Sequence, residues 1–482
     1  MRGELIVSAS GIRGIVDHGL DAATARRYGA AYGEYLSELH GASRSGRVLL
    51  GRDSRASGAA LADAVAAGLT GVGWDVGDLG IVPTPTALLA VQEDDRARGG
   101  VVVTASHNPA EWNGLKLASA AGEFIEPSGG RDVQARFESS ATRNEPTETG
   151  SGGRAVGRRV RGRRREVGGA LDRHLERILT LSLLSPGVIG ERRLRVALDC
   201  VRGAGGLILP ALLERLGSEV VGIHLEPDGR FPRDPEPIAA NLDELAQLVR
   251  ETGADLGMAV DPDVDRLALV DERGVPVGED WTLALAVELV LAKRSGPVVT
   301  NLSSSQCIED AAVRGGGALY RAPVGEANVA RLMAEVGAVI GGEGNGGVML
   351  PDLHSTRDAP LAAALILQLL SERNESLGEL IGALPSYSVV KHKAPRPEAP
   401  LDVVYGRLES EARRGSEVDR QDGLRLSWPA RGEWLHVRPS GTEPIVRVIA
   451  EAPETVAAES LSNWAIQILS TAREPGHGVG EQ

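Results

Sequence analysis

The chain of 482 residues is longer than one ordinary hydrophobic core supports, so its length predicts three or four domains. Hydrophobic residues at 42% and charged residues at 24% are typical of a folded soluble protein. The formal net charge of −14 argues against general affinity for nucleic acid or membranes, although a locally basic site can still bind an anionic small molecule.

The cysteines and the N-terminus indicate the compartment. Cys200 and Cys307 lie in apolar, strand-like segments, and we interpret them as buried thiols of a reducing environment. The N-terminus lacks an apolar stretch of signal-peptide length, and no apolar run reaches the ~20 residues of a membrane span. We therefore expect a cytoplasmic protein without a membrane partner.

Strand-like and helix-like segments alternate through the first hundred residues. Arg13, between Gly11 and Gly14, suggests a turn that presents a guanidinium to a phosphate, with a plain surface turn as the alternative. Helical spacing begins behind Asp21, a candidate N-cap, and strands and helices then alternate as far as Val101. This alternation predicts a parallel or mixed sheet covered by helices.

The valine run 101–103 predicts a buried strand that ends in the segment 104–109, Thr-Ala-Ser-His-Asn-Pro. Loops at the carboxyl ends of strands are where open α/β sheets place their chemistry. Ser106 is therefore a candidate nucleophile, with His107 beside it and Lys116 within reach of the same loop. An ordinary Ser-Asn-Pro turn is the alternative for this segment alone.

Residues 144–165 interrupt the alternation. Their first part is polar and rich in Gly, Ser and Thr, and the run 158–165, from Arg158 to Arg165, is basic. Such a run can bind nucleic acid. In an acidic protein, beside a domain boundary, we interpret it as a solvated linker, and the sequence leaves its role open.

Two further α/β units follow the linker, and the last hundred residues differ from them. The segments 425–428, 433–437 and 445–450 read as strands and 453–471 as a helix, which predicts a smaller α+β domain with an antiparallel sheet. The predicted fold class is α/β, with three similar α/β domains with mixed sheets plus a C-terminal α+β domain. The predicted domains are residues 1–155, 166–275, 276–378 and 384–475.

The segment 261–266, Asp-Pro-Asp-Val-Asp-Arg, lies between two apolar runs. Carboxylates at Asp261, Asp263 and Asp265 can converge on one hard cation, and Mg²⁺ prefers a few carboxylates together with phosphate oxygens. We reject an EF-hand because Arg266 occupies the sixth position, where that turn needs glycine. A solvated acidic turn is the remaining alternative.

The segment 341–347 reads Gly-Gly-Glu-Gly-Asn-Gly-Gly and offers a carboxylate and an amide on a glycine-rich loop. Glu343 and Asn345 suit bidentate contacts to neighbouring sugar hydroxyls. A glycine-rich turn with incidental polar residues is the alternative.

The segment 438–444, Arg-Pro-Ser-Gly-Thr-Glu-Pro, lies between predicted strands. Arg438, the hydroxyls of Ser440 and Thr442, and backbone N–H groups would together make an anion-binding nest, to which Arg447 can add a second guanidinium. A plain hairpin loop is the alternative.

These four segments resemble the active-site motifs of the α-D-phosphohexomutases, in that family's order and over nearly the whole chain. The resemblance implies four domains around a central cleft. It also implies that Ser106 is a phosphoserine that binds one Mg²⁺ per chain together with Asp261, Asp263 and Asp265. Arg13, His107 and Lys116 match residues around the transferring group, with Lys116 as the general acid/base, alone or with His107.

The resemblance further implies a division of labour among the remaining motif residues. Glu343 and Asn345 would contact sugar hydroxyls, and Arg266 would bind substrate. The residues that would hold the phosphate that is not being transferred are Arg438, Ser440, Gly441, Thr442 and Arg447.

The activity that the resemblance implies is interconversion of a hexose 6-phosphate and a hexose 1-phosphate, with a sugar 1,6-bisphosphate as intermediate and activator. The start of the chain departs from the family because residues 8–14 lack its usual Gly-Thr, and Asn345 stands where many members have serine. The segment 342–347 is similar to the archaeal-type phosphoglucosamine mutase branch, so glucosamine phosphate is the expected substrate and mannose or glucose phosphate the alternative.

Other function classes use similar parts. A sugar-phosphate-binding protein would keep the loops without turnover, and a phosphatase would need a path for water. We expect a sugar phosphate as partner, no nucleic acid, and a monomer or a homodimer. The sequence does not indicate what first phosphorylates Ser106.

Overall fold

The computed structural model describes residues 5–8, 11–41, 46–141, 161–440 and 445–472. The chain forms two compact units. The first consists of Met1–Thr282 with Gly346–Gly378, and the second of Leu283–Asn345 with Glu379–Gln482.

Helices and strands alternate along most of the chain. The strands are β1 (Ile6–Ser8), β2 (Gly11–Ile15), β3 (Arg47–Arg52), β4 (Asp75–Ile81), β5 (Ala97–Val103), β6 (Trp112–Ser119), β7 (Arg164–Glu166), β8 (Arg195–Asp199), β9 (Glu219–Ile223), β10 (Leu256–Val260), β11 (Leu267–Val270), β12 (Val298–Asn301), β13 (Leu319–Ala322), β14 (Ile340–Glu343), β15 (Gly347–Met349), β16 (Ser388–Pro395), β17 (Glu417–Asp419), β18 (Leu424–Trp428), β19 (Glu433–Pro439) and β20 (Ile445–Ala452). The α-helices are α1 (Ala22–Leu39), α2 (Gly58–Gly71), α3 (Thr84–Glu93), α4 (Pro127–Ala141), α5 (Ala170–Leu179), α6 (Pro186–Arg192), α7 (Leu209–Arg215), α8 (Asp243–Thr252), α9 (Asp280–Lys293), α10 (Gln306–Arg314), α11 (Glu326–Val336), α12 (Ala359–Arg373), α13 (Leu377–Gly382), α14 (Leu401–Glu411) and α15 (Thr455–Thr471).

The first unit contains a mixed sheet in the order β1-β2-β6-β5-β3-β4-β7. The pairs β3–β5, β3–β4 and β4–β7 are parallel, and β2–β6 and β5–β6 are antiparallel. Asp21 caps α1 by accepting the N–H of Thr24 at 2.7 Å. The mixed sheet and this cap confirm the sequence prediction, whereas the β1–β2 hairpin and β6 were not predicted.

Small residues let the helices of this sheet pack closely, which compensates for the scarcity of aromatic side chains. A Cβ added at Gly68 of α2 would lie 2.1 Å from the carbonyl oxygen of Arg26 in α1. Trp74, one of the few aromatic residues, is buried and donates its indole N–H to the carbonyl oxygen of Gly33 at 2.7 Å. The resulting core holds β5, and with it the loop that follows Val103, in a fixed place.

The C-terminal end of the predicted linker, residues 144–165, forms a strand. Arg164–Glu166 forms β7, which pairs with β4 at the edge of the sheet. The Arg164 guanidinium lies 2.6 Å from carboxylate oxygens of both Asp63 and Asp78, so part of the basic run has partners on the surface of the sheet. Residues 158–160 lie outside the described part of the chain.

A second sheet of the first unit has the order β11-β10-β8-β9. β8 is parallel to β9 and β10, while β10 and β11 are antiparallel neighbours. Strands β10 and β11 are the two apolar runs that flank the segment 261–266 in the sequence. The connection between β10 and β11 is the aspartate segment 261–266, and Cys200, just after β8, is a buried free thiol.

The second unit contains the parallel strands β13, β12 and β14 in that order, and a five-stranded antiparallel sheet in the order β16-β20-β19-β18-β17. The antiparallel sheet and the following α15 confirm the predicted α+β C-terminal domain. Cys307 is buried and is not part of a disulfide, but it lies in α10 and not in a strand-like segment as predicted. Within the described ranges, no helix combines the length and the apolar character needed to cross a membrane.

Candidate active site

The serine loop follows β5 at the centre of the mixed sheet. Ser106 is 8% exposed and has a left-handed backbone conformation, with a φ of +50°. Its hydroxyl donates to Asp261 Oδ2 at 3.0 Å. The candidate nucleophile and the aspartate segment, which lie far apart in sequence, therefore meet in the first unit.

The aspartate segment is a tight turn between β10 and β11. Oδ1 of Asp261 accepts the backbone N–H groups of Asp265 at 3.1 Å and of Arg266 at 3.2 Å, which folds the turn back on its first residue. Val264 adopts a φ of +64°, an uncommon conformation for a β-branched residue. Asp261, Asp263 and Asp265 are all buried, and their candidate ligand oxygens lie within 4.8 Å of one another.

These carboxylates fit a divalent cation. Oδ1 of Asp263 and Oδ1 of Asp265 are buried without a hydrogen-bond partner, although buried polar atoms are normally paired. Burial, followed by the charges of Asp265 and Asp263, raises the pKa of Asp261 well above its ordinary value. A hard cation would satisfy the two oxygens and neutralise this repulsion, and oxygen ligands of this kind are those that Mg²⁺ prefers.

Two cations from other elements face the aspartates. Lys116, in β6, places Nζ 2.9 Å from Asp263 Oδ2 and 3.7 Å from Asp265 Oδ2. Burial would raise the pKa of Asp263, but the Lys116 ammonium and the Thr84 hydroxyl hold that pKa below its ordinary value. Arg357 donates to Asp265 Oδ2 at 2.6 Å.

His107 and Arg266 also lie close to the serine and the aspartates. His107 Nδ1 is 3.5 Å from Ser106 Oγ, and burial together with the nearby Arg266 charge lowers the pKa of His107. Arg266 is anchored to Glu236 at 3.2 Å, and its Nε is 3.8 Å from Asp265 Oδ1.

Arg13 occupies a different local structure from the predicted one. It lies in β2 and not in a turn, because its segment pairs with β6 in antiparallel register. Its guanidinium lies 3.5 Å from the side-chain oxygen of Asn108. The first unit thus brings together Ser106, His107, Lys116, Arg13, Arg266 and the three aspartates.

In the second unit, Glu343 is the last residue of β14, so it lies in a strand and not in the predicted glycine-rich loop. Oε1 of Glu343 accepts the amide of Asn301 at 2.9 Å and the N–H of Gly325 at 3.0 Å. These contacts fix a buried carboxylate at the start of the turn that carries Asn345.

Three cations occupy neighbouring positions in the antiparallel sheet of the same unit. Arg438, inside β19 rather than in the predicted loop, is directly opposite Arg447 of β20, which is opposite Lys393 of β16. Like charges in such positions repel unless an anion lies between them. Arg438 is 2.8 Å from the Asp422 carboxylate, and Ser440 follows at the end of the strand. Gly441 and Thr442 lie outside the described residues.

The sequence interpretation did not identify several residues that shape the first-unit site. Thr84, at the start of α3, donates to Asp263 Oδ2 at 2.8 Å, and Glu236 anchors Arg266. Arg357, which donates to Asp265, was not assigned a role either. Arg55 donates to three carbonyls of the serine loop and to the first carbonyl of β6, and the Arg-Asp-Ser-Arg sequence at the end of β3 was the available signal.

Four family models match the chain in sequence. They are the phosphoglucomutase/phosphomannomutase alpha/beta/alpha domain I at residues 4–144, domain II at 172–274, domain III at 278–387 and the C-terminal domain at 390–463.

Whole-chain relatives agree with these matches. A protein named probable phosphoglucosamine mutase from Methanopyrus kandleri is 37% identical, with 95% of this chain and 96% of the relative covered. A phosphoglucomutase/phosphomannomutase from Thermococcus kodakarensis is 36% identical over 96% and 98%. A solved phosphoglucomutase/phosphomannomutase family protein from Burkholderia thailandensis is 28% identical, covers 96% of both chains and superposes with a TM-score of 0.81.

Proposed function

Because the chain belongs to the phosphohexomutase family and contains its four phosphoglucomutase/phosphomannomutase domains, we propose that it interconverts glucosamine 6-phosphate and glucosamine 1-phosphate. The observation that carries the proposed phosphoryl transfer, whichever sugar is used, is the contact of 3.0 Å between Ser106 Oγ and Asp261, inside a buried cluster of three carboxylates.

In the proposed reaction, Ser106 carries the phosphoryl group. The sugar hydroxyl attacks phosphorus, and the bond from phosphorus to Ser106 Oγ breaks. The hydroxyl proton passes to Lys116, which must first be in its neutral amine form, or to His107, and from there to the departing Ser106 Oγ. When bound at the three aspartates, Mg²⁺ neutralises charge on the transferring group. Arg13 and Arg266 are the cations of the chain that would face the same oxygens.

The remaining motif residues hold the sugar in the proposed mechanism. Glu343 and Asn345 contact ring hydroxyls, and the phosphate that is not being transferred binds at Arg438, Ser440, Gly441, Thr442 and Arg447. The sugar 1,6-bisphosphate formed by the first transfer returns its other phosphoryl group to Ser106. An added bisphosphate would therefore activate enzyme that has lost its phosphate.

Glucose or mannose phosphate is the second candidate substrate. The relative named phosphoglucomutase/phosphomannomutase is 36% identical to this chain, nearly the same as the 37% of the relative named probable phosphoglucosamine mutase. We place glucosamine phosphate first on the form of the segment 342–347.

Intact mass with peptide mapping tests the phosphoserine, and isomerisation assays test the substrate. Purified enzyme should carry phosphate on Ser106 and should isomerise glucosamine 6-phosphate in preference to glucose 1-phosphate and mannose 1-phosphate. Ser106→Ala should abolish turnover, while Ser119→Ala, in neighbouring β6, should retain it. Preference for glucose 1-phosphate or mannose 1-phosphate would overturn the assignment of glucosamine phosphate as the substrate. Release of inorganic phosphate faster than isomerisation would indicate a phosphatase instead.

A further inference from the structure

Ser106 adopts a backbone conformation that needs support from its surroundings. Its φ of +50° is in the left-handed region that residues with a side chain seldom occupy. Such conformations persist only where neighbouring groups determine them. The direction of the Ser106 side chain toward Asp261 therefore depends on whatever fixes the peptide groups on either side of it.

The buried guanidinium of Arg55 fixes the backbone carbonyl groups of Ser106 and of the residues that follow it. Arg55 is 1% exposed, and all five N–H groups of an arginine have an acceptor here. Nε donates to the Asp53 carboxylate at 3.0 Å. Three of the other four N–H groups donate to backbone carbonyls of the serine loop, at 2.6 Å to Ser106, 2.6 Å to Asn108 and 2.5 Å to Pro109, and the fourth donates to Trp112, the first residue of β6, at 3.0 Å.

The amide side of Ser106 is fixed through the same carboxylate. The N–H of Ser106 donates to Thr104 Oγ1 at 2.9 Å, and the Thr104 hydroxyl in turn donates to Asp53 Oδ2 at 2.7 Å. Arg55 and Thr104 therefore share Asp53 and hold the two peptide groups of Ser106 from opposite sides. All three side chains are almost fully buried, so water does not compete for these contacts.

The segment that carries Arg55 is also attached to the neighbouring domain of the first unit. Ser54 donates its hydroxyl to the carbonyl oxygen of Arg202 at 2.8 Å, and the Arg55 guanidinium lies 5.0 Å from the centre of the Phe231 ring. Gly229 packs directly against this segment, since a Cβ there would lie 2.3 Å from the Ser54 carbonyl oxygen. These contacts join the support of the serine to the domain that supplies the aspartates.

We propose that Arg55, with Asp53 and Thr104, is the positioning residue that holds Ser106 in its left-handed conformation and aims Oγ at the aspartate cluster. This inference rests on the proposed function. None of the five Arg55 N–H groups is left for a substrate, because each already has an acceptor within the protein. Arg55 therefore acts on the rate of phosphoryl transfer and not on sugar binding.

The test compares Arg55→Lys with wild-type enzyme. Lysine keeps the positive charge beside Asp53 but cannot supply the fork of five donors. We expect kcat to fall on the order of 100-fold, as misplacement of a reacting group by about 1 Å can cause, while KM for the sugar phosphate changes less than about threefold. Hydrogen exchange of the peptide that covers residues 104–112 should accelerate in the variant.

A second variant and a control distinguish a positioning effect from misfolding of Arg55→Lys. Thr104→Val preserves the side-chain shape but removes the hydroxyl, and it should give a smaller fall in kcat with the same unchanged KM. Arg47→Lys alters another ion-paired arginine of the same sheet, at Asp94, and should keep wild-type kcat.

The outcomes separate this inference from the proposed function. Wild-type kcat in both Arg55→Lys and Thr104→Val would overturn the positioning role, as would a rise in KM that accounts for the lost activity. Accelerated exchange throughout the domain would also overturn it, because Arg55 would then support the fold generally. If wild-type enzyme carried no phosphate on Ser106 and did not isomerise the sugar phosphates, the proposed function would be refuted instead. Hydrogen exchange at residues 104–112, compared between Arg55→Lys and wild type, would still test whether Arg55 fixes the serine loop.

Discussion

Lys116 Nζ lies 2.9 Å from Asp263 Oδ2, so an ammonium from the mixed sheet meets a carboxylate of the neighbouring domain inside a largely buried site. Lys116 also lies 3.7 Å from Asp265, and it lowers the pKa of Asp263 against the effect of burial. The charge of the candidate acid/base Lys116 and the charges of the candidate metal ligands therefore depend on one another. A change at Lys116 should therefore affect catalysis more than a change at His107, which lies 3.5 Å from Ser106 Oγ and 3.8 Å from Glu236.

Lys116→Met should lower kcat by on the order of 100- to 10,000-fold, the usual range for a lost general acid/base. His107→Gln should cost less, because His107 Nδ1 is 3.5 Å from Ser106 Oγ and has no contact as close as the one between Lys116 and Asp263. Steady-state kinetics on glucosamine 6-phosphate checks both. Lys391→Met, at an exposed position of β16, is the control, and a larger loss in His107→Gln would reverse the assignment.

Asp261→Asn should abolish the stabilisation by Mg²⁺ without lowering the stability of the metal-free protein. Burial and the neighbouring carboxylates raise the pKa of Asp261, so in the metal-free folded protein its ionisation is unfavourable and stability falls as pH rises above the unfolded-state pKa of about 3.9. Asparagine keeps an oxygen for the N–H groups of Asp265 and Arg266 but carries no charge. The metal-free variant should therefore be at least as stable as metal-free wild type near pH 7.

Thermal unfolding with EDTA and with Mg²⁺ checks this expectation. Saturating Mg²⁺ should stabilise wild type, by about 2.7 kcal/mol at a hundred times Kd, and should leave Asp261→Asn unchanged. Asp132→Asn, an exposed carboxylate of α4, should behave as wild type. An undiminished Mg²⁺ shift in Asp261→Asn would place the cation elsewhere.

The regular elements were predictable because hydrophobic runs and turn residues mark them directly. Strands β10 and β11 are the apolar runs on either side of the segment 261–266, and Asp21 caps α1 as expected. Strand β16 was missed because Lys391, His392 and Lys393 interrupt any apolar alternation. Its place comes from pairing with β20, a contact that no local pattern encodes.

The candidate site also contains residues that the sequence indicated and residues that it did not. Ser106 and the three aspartates stand in segments whose residue types already indicate chemistry. Arg55 and Thr84 were not identified, since each acts through a partner far away in sequence, as Thr84 does on Asp263. Arg13 and Glu343 were recognised as candidates but assigned to turns, because glycines suggest loops even where strand pairing decides the conformation.

The row of cations in the C-terminal sheet predicts an anion site that can be tested without turnover. Arg438 opposes Arg447, which opposes Lys393, and Asp422 lies 2.8 Å from Arg438, so a phosphate bound here would add to the compensation of this positive charge. Inorganic phosphate should raise the Tm of wild type but not of Arg438→Met, and the variant should raise KM by about 10- to 100-fold, as loss of hydrogen bonds to a charged group would.

Arg413→Met is the matched control for this anion site. Arg413 belongs to the same C-terminal domain and pairs with Glu433 at 3.0 Å, with about half of its side chain exposed. This variant should keep both the wild-type KM and the phosphate-induced rise in Tm. Equal stabilisation of Arg438→Met by phosphate would argue against a clamp at Arg438.

A buried histidine network in the first unit predicts how stability depends on pH. Asp358, the N-cap of α12, has one carboxylate oxygen 2.7 Å from the Nε2 atoms of both His174 and His354. The Nδ1 atom of each ring contacts a threonine hydroxyl, from Thr86 and Thr356 respectively, so every ring nitrogen has a hydrogen-bond partner. Burial lowers the pKa of His354 despite the opposing effect of Asp358.

A histidine whose pKa is lowered by folding stays neutral in the folded state while the unfolded chain takes up a proton near pH 6.5. The free energy of unfolding should therefore fall as pH decreases below about 6.5, with a slope of up to about 1.4 kcal/mol per pH unit from this residue. His354→Gln keeps an N–H for Asp358 but does not titrate. Its stability should be lower than wild type by about 1–2 kcal/mol at pH 7.5, and the difference should shrink toward pH 5. Denaturant unfolding across this range measures both slopes, with His18→Gln at an exposed site as the control, and identical slopes in His354→Gln and wild type would contradict the prediction.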